Sequence, residues 1–468
     1  MQNKFFTRSV LLSLGLSSII SISSLAQDKT PEIPEIFTQQ RTTATAGATA
    51  TSANTILTLD EATQEAMDHS PEIQRSKAAV GEASWKKFEA LGDGFLPKVS
   101  LSGTHYFTEQ YTITNIVFGS PFSFPGFYPT TQFTLDVSIP IFDGFSNVLH
   151  LQAESLKHSA AEKELERAQF KLQKEIQLAF YQALAAVQLD EVAEQNVKTL
   201  EDHLKQVHIQ KQGGVATSYD TLRVEVQLSE ARADAMDTKD SLTMTRKKLT
   251  QLIGLEADDR PLKGELPVPE ARMVKAVEFD NSLKDRADIE ALNMRAEAAS
   301  KLSTAKDLWL VPQVSVGGQY LLYNQQYFNN TITDTGNYQN AYNLGIFLKW
   351  NLFDGGVAIA QAGEASYKAI QDQKKAEEAK IQVPYDFEYW KRRFVTNSDH
   401  YLSKKLDISR SEESVRLAKE EERAGTRTST ETLDAELDLF RAKAGVVNAQ
   451  VNAAEAKIEL ELALGRSI

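Results

Sequence analysis

A chain of 468 residues is too long for one ordinary compact domain. Its 42% hydrophobic and 25% charged residues can bury a core and are not those of a disordered polymer. The excess of 64 Asp and Glu over 51 Lys and Arg, a formal charge of −13, argues against a nucleic-acid partner. Cysteine is absent, which removes disulfides, thiolate metal ligands, a cysteine nucleophile and an acylated lipoprotein anchor.

In chain order, the first segment reads as a signal peptide over residues 1–26. Lys4 and Arg8 precede an apolar run from Val10 to Ile22, and Ser24-Leu25-Ala26 supplies a small-residue cleavage site. Residues 27–56, rich in Thr, Ala and Pro, show neither helical nor strand periodicity and read as a flexible leader. Past the N-terminus no run has the ~18 apolar residues of a membrane-spanning helix. Any bilayer must therefore be met with strands.

The rest of the chain is one unit written twice. Phe142-Asp143-Gly144 recurs as Phe353-Asp354-Gly355, and Gly214-Val215-Ala216-Thr217-Ser218 as Gly425-Thr426-Arg427-Thr428-Ser429, at the same offset of 211 residues. Leu252-Ile253-Gly254 matches Ala463-Leu464-Gly465, and Leu96-Pro97-Lys98-Val99-Ser100 matches Val311-Pro312-Gln313-Val314-Ser315. The repeats span 57–255 and 282–468, joined by a linker over 256–281 containing Pro261, Pro267 and Pro269.

Each repeat carries two runs of period two, predicting strands near 98–108, 131–142, 313–323 and 342–353. Phe133, Leu135, Val137 and Ile139 alternate with polar residues, as do Tyr342, Leu344, Ile346 and Leu348. The far-end loops, Glu109 to Thr130 and Asn324 to Ala341, hold aromatics such as Phe118, Phe122, Phe124, Tyr327, Phe328 and Tyr338, which suit a membrane interface. Four strands cannot close a sheet in hydrocarbon, so several chains must share one barrel.

Long helices fill the intervals. Ser146 to Gln212 and Val357 to Arg423 are each roughly 100 Å long as single helices. Leu59 to Leu91 plus Ser218 to Ile253 match the first of these in length, and Ser282 to Trp309 plus Ser429 to Leu464 match the second, so two short helices stacked end to end span one long one. From Leu433 to Ile458 apolar residues step 4-3-4-3, and a second such series runs from Ala435 to Leu460. An offset of two residues is about 200° of rotation, so this helix expects a neighbour on each flank.

No catalytic constellation stands out. His69, His105, His150, His158, His203, His208 and His400 are scattered without metal-site spacing, and Gly213-Gly214 reads as a helix stop, not a phosphate loop. Glu431 and Asp434 share one helix face a turn beyond Gly425. Acids at that position also favour the helix dipole.

The doubled strand–Phe-Asp-Gly–long-helix–Gly-x-x-[Thr/Ser]-Ser unit, with its Leu-x-Gly ending and signal sequence, resembles the TolC-like outer membrane efflux proteins. The resemblance implies a mainly α, internally duplicated fold with transmembrane β: a homotrimer whose chains each give four strands to one 12-stranded barrel in outer membrane lipid, above a periplasmic α-barrel of antiparallel coiled-coil helices. It implies an exit duct for efflux or type I secretion, working with an inner-membrane pump and a periplasmic adaptor, without enzyme activity, cofactor or metal. It also implies roles for residues. Glu431 and Asp434 would ring the pore constriction, and Arg427 and Asp220 would latch neighbouring tips. The tips Gly214, Val215, Ala216, Thr217, Ser218, Gly425, Thr426, Thr428 and Ser429 would meet the adaptor. Glu422, where the family carries a hydrogen-bonding aromatic, and Tyr219, at a site usually small and polar, depart from the pattern. A coiled-coil scaffold or adaptor without a pore accounts for the heptads but not for four alternating strands.

Overall fold

The computed structural model describes residues 56–105, 112–117, 120–125, 129–256, 258–279, 283, 286–325 and 338–468. The signal peptide, the leader up to residue 55 and the aromatics Phe118, Tyr327 and Phe328 lie outside the described residues.

The two long helices are α3, Ser146–Gln212, and α7, Val357–Arg423, each of 67 residues; Pro384 lies inside α7 without ending it. The helices that follow their glycine turns are α4, Ser218–Ile253, and α8, Ser429–Leu464, each of 36 residues. Before the first strand stand α1, Leu59–His69, and α2, Pro71–Phe95. The single run expected from Leu59 is therefore interrupted at Ser70 (φ −60°, ψ 123°) and continues past Leu91. The cause is Pro71, whose ring pushes the preceding residue into extended backbone while being well tolerated as the first residue of the next helix. In the linker a short α5 covers Ala271–Lys275. The second repeat opens with α6, Ala287–Asp307, closed by a 3-10 turn at Leu308–Leu310.

Packing follows the length matching. Toward the strands α2, α3, α6 and α7 lie side by side; toward the glycine turns the order is α4, α3, α8, α7. At mid-height α1 meets α4, and Arg286, which caps the start of α6, donates from its guanidinium to Ala463 O of α8 at 2.7 Å. The two apolar series of α8 do face opposite neighbours. Leu433 and Leu437 pack with Leu200 and Val207 of α3 and Val224 and Leu228 of α4, and Val447 joins the α3 cluster around Ile176 and Phe180. Ala435 and Leu439 pack on Val415 and Ala418 of α7, and Ala453, Ala456 and Leu460 on Phe387 and Phe394.

At the same level Lys174 Nζ of α3 bonds Glu461 Oε2 of α8 at 2.6 Å, the two side chains only 5% and 4% exposed. Ser467 Oγ and Gln177 complete the ammonium's shell. A buried charge this well paired is tolerated; one left alone is not.

The strands form one antiparallel sheet in the order β1-β4-β5-β6, with β1 at Lys98–His105, β4 at Pro129–Phe142, β5 at Gln313–Gln325 and β6 at Tyr338–Lys349. Each repeat supplies a hairpin, and β4 against β5 joins them, with Val137 opposite Gly318 and Leu135 opposite Tyr320. A second, two-stranded sheet was not foreseen: β2, Thr112–Val117, pairs with β3, Ser120–Pro125, inside the far-end loop Glu109 to Thr130. Phe122 and Phe124 therefore sit on a strand.

The sheet's apolar face has no protein cover. Leu344 is 83% exposed, Ile346 76% and Leu101 71%. Aromatics also collect where strands meet helices: Phe95, Phe142, Phe145, Trp350 and Phe353 are all exposed there.

The strand-to-helix turns explain Phe-Asp-Gly. Asp143 accepts from Asn147 N at 2.6 Å and Asp354 from Ala358 N at 3.0 Å, each satisfying an amide at the start of a long helix. Gly144 and Gly355 take left-handed backbone (φ 73° and 76°). The next residue is also left-handed in both copies, but it is Phe145 in the first and Gly356 in the second. Their surroundings differ: a Cβ on Gly144 would stand 2.7 Å from Val311 Cγ1, while Gly355 has open space.

Gly355→Ala is therefore expected to cost only the left-handed strain, about 1–2 kcal/mol, and Gly144→Ala a further clash of about 3 kcal/mol, read as unfolding midpoints in detergent. Lys174→Met takes from buried Glu461 its nearest cation, leaving it Lys457 at 3.8 Å and the Ile468 amide at 3.1 Å, and should cost about 3 kcal/mol, most of it recovered in Lys174→Met/Glu461→Leu. A single variant as stable as the parent would contradict the assigned role of the pair.

Candidate functional site at the helix tips

The two helix pairs, α3/α4 and α7/α8, turn through near-identical tips. In the first, Gly214 N bonds Lys211 O and Val215 N bonds Gln210 O; in the second, Gly425 N bonds Glu422 O and Thr426 N bonds Glu421 O. This double bond pattern places the glycine in left-handed backbone, φ 75° in both. Val215 projects beyond it, 81% exposed, and Tyr219 is 70% exposed.

Capping boxes follow. Asp220 Oδ2 accepts from Thr217 N at 2.8 Å and Thr217 Oγ1 at 2.7 Å. Glu431 Oε2 accepts from Thr428 N and Thr428 Oγ1, both at 3.0 Å. Two orphan amides are thereby satisfied reciprocally at each helix start. The same backbone and hydroxyl bonds from Thr217 and Thr428 hold both carboxyls below their ordinary range. Asp220 and Glu431, singled out as latch and pore residues, thus also hold their own helices in place.

Arg427 lies 3.3 Å from Glu421 and 4.0 Å from Glu431, its own tip's acids; Asp220 is not its partner within the chain. Asp434 bonds Arg223 of α4 at 3.0 Å, a contact the sequence reading missed. Glu422 accepts from Gln210 Nε2 at 3.1 Å, joining α7 to α3 where the family's aromatic would stand.

A buried polar layer behind the tips was also missed. His203 lies on the α3 seam between Leu200 and Val207, with its Nε2 2.9 Å from Ser429 Oγ and Nδ1 3.5 Å from Glu436 Oε2. Lys419 of α7 reaches the other Glu436 oxygen at 2.8 Å. The one available signal was a polar residue at a seam position. In a coiled coil such a residue fixes register, and here it ties α3 to α7 and α8.

Farther up, one face of the α2-α3-α6-α7 arc carries an open groove of about 940 Å³. Its wall holds the pairs Glu82–Lys86, Glu154–Lys157, Glu164–Arg295 and Asp372–Lys368 over a floor of alanines. Such a surface is wet and charge-compensated. Among the described residues no three His, Asp or Glu side chains are grouped to hold a metal ion, and no helix is long and apolar enough to cross a membrane.

The model of the outer membrane efflux protein family matches residues 62–255 and 279–466, both repeats. The chain belongs to the outer membrane efflux protein family. No curated protein matches it by sequence. Solved structures with this fold include the outer membrane protein VceC of Vibrio cholerae, at 18% identity and a TM-score of 0.70 over 87% of this chain and 96% of that one. CusC aligns at 15% identity and 0.72 over 87% and 92%, and the open-state outer membrane channel MtrE of Neisseria gonorrhoeae at 16% and 0.67 over 87% and 89%. As an outer membrane efflux protein the chain places its four-stranded sheet in the outer membrane and its long helices in the periplasm. The family is one of channels, not of enzymes.

Because the folded tips hold Asp220 and Glu431 at depressed values, the stabilisation is full at neutral pH and is lost as pH falls through the acid range below about 4. Hydrogen-exchange protection at the first turns of α4 and α8 should fall there before that of mid-helix amides. Unchanged relative protection would contradict the capping role.

Proposed function

We propose that three copies of the chain form a continuous exit duct, receiving cargo from an inner-membrane pump through a periplasmic adaptor and releasing it outside, in efflux or type I secretion. The observation that carries the reading is the sheet with two open edges. β1 and β6 each have one unpaired side, and the outer face is apolar and bare. The bare apolar face calls for lipid, and an open edge is not tolerable in lipid; closure with sister chains pairs the edges and the bilayer covers the face.

The helices support the same ring. Along its free flank α7 exposes Tyr367, Ile381, Tyr385, Leu402 and Leu406, while α2 exposes Trp85 and Phe88 and α4 exposes Leu222, Val226 and Met236. α7 lies at one end of each helix row and α2 or α4 at the other. Two different apolar flanks make a head-to-tail contact, which closes into a ring. The junction aromatics Phe95, Phe145, Trp350 and Phe353 then sit at the periplasmic lipid boundary, as a girdle should.

The tips form the entrance in this reading. Glu431 and Asp434, repeated in each chain, ring the constriction, and Arg427 reaches Asp220 of a neighbour to latch it. The turns Gly214 to Ser218 and Gly425 to Ser429 meet the adaptor, their small residues suiting end-on helix packing. A scaffold without a pore would have no use for a bare apolar sheet face.

The full chain in planar bilayers should form pores blocked by hexamminecobalt(III) from the helix-tip side, with block lost in Glu431→Gln/Asp434→Asn and conductance raised in Arg427→Ala. Absence of pores would contradict the duct, and block indifferent to both acids would contradict the entrance.

A further inference from the structure

We propose that Arg223 sets the charge selectivity of the entrance by masking Asp434 in the closed arrangement and releasing it on opening. The inference rests on the reading that Glu431 and Asp434 face the duct.

Arg223 and Asp434 are 211 residues apart, the offset of the duplication itself, so they occupy the same position in the two repeats. Their contact is therefore one between self-equivalent sites of α4 and α8. Had the two copies kept one residue there, like charge would face like; arginine in one and aspartate in the other turn the contact into attraction. Arg223 Nη2 stands 3.0 Å from Asp434 Oδ1, with the side chains 36% and 57% exposed.

An ion pair that open to water adds little to stability. Its effect on the local field is larger, because a unit charge is cancelled within bond distance. The two neighbouring acids differ in this respect. Glu431 is held by Thr428 and faced at 4.0 Å by Arg427, both of its own tip, whereas Asp434 is neutralised by a cation from a different helix pair. Since α4 and α8 touch only slightly, any parting of the α3/α4 and α7/α8 pairs withdraws the arginine and leaves the aspartate bare. The closed entrance is thus weakly acidic and the open one strongly so, which draws cationic cargo once the way is clear.

The test is single-channel recording of the full chain in planar bilayers under a KCl gradient, with hexamminecobalt(III) on the helix-tip side. Arg223→Gln should be blocked at about tenfold lower concentration and shift its reversal potential toward potassium. In the low-conductance closed state, Arg223→Lys, which keeps the charge, should behave as the parent, and Asp434→Asn alone should change block little because Arg223 already cancels it, whereas in the high-conductance open state Asp434→Asn should weaken block. Adding Asp434→Asn to Arg223→Gln should abolish the gain. If Arg223→Gln raises conductance but leaves block and reversal potential unmoved, the arginine is a tie between helices only and the proposal is overturned. If Glu431→Gln is also without effect on block, the acids do not line the duct, and it is the entrance reading that has failed.

Discussion

Every backbone amide and carbonyl in hydrocarbon needs a partner, and four strands leave two rows without one. The rest of the molecule is arranged around that deficit. A sheet that cannot close alone fixes the need for sister chains, the chains bring their helices with them, and the helices must then tile a ring of the same symmetry. The duplicated chain meets this demand economically: each repeat gives one hairpin and one helical pair, and β4 against β5 with α3 against α6 and α8 joins the repeats.

The helical wall is held by alternation of weak and strong contacts. Alanine-rich seams on α8 let it lie close to α3 and α7 at once, with larger side chains such as Phe180, Phe387 and Phe394 filling from the partners. Mid-height, where short helices abut, polar groups join the apolar clusters: Lys174 with Glu461, and Arg286 with Ala463 O. Toward the tips the seams thin and the links become single polar contacts, Gln210–Glu422, His203–Ser429 and Arg223–Asp434. An assembly that must stay sealed in the membrane and yet part at one end calls for such a gradient, since low local stability is where motion is drawn from.

Much of this was legible in the amino-acid order because it rests on period and punctuation. Period two marked β4 and β6, glycine motifs marked the ends of α3, α4, α7 and α8, and the two seams of α8 announced two neighbours. What escaped notice was set by tertiary context. The break at Ser70 is a consequence of Pro71 that helical periodicity across it concealed. The β2–β3 hairpin lacks strict alternation, with Pro121 and Pro125 in one strand. At the tips, the family resemblance pointed to Glu431, Asp434, Asp220 and Arg427 one helix at a time. Arg223 and His203 matter through helices brought beside them from the other repeat, and only the offset of 211 residues hinted at the first. The capping bonds on Asp220 and Glu431 show how one residue can answer to a local rule while remaining available for a wider one.

The shared barrel is tested most directly by weighing it. Native mass spectrometry of the detergent-extracted protein should give a complex of three chains that resists dissociation until the sheet is unfolded. A single chain, monodisperse and soluble without detergent, would contradict the account at its root.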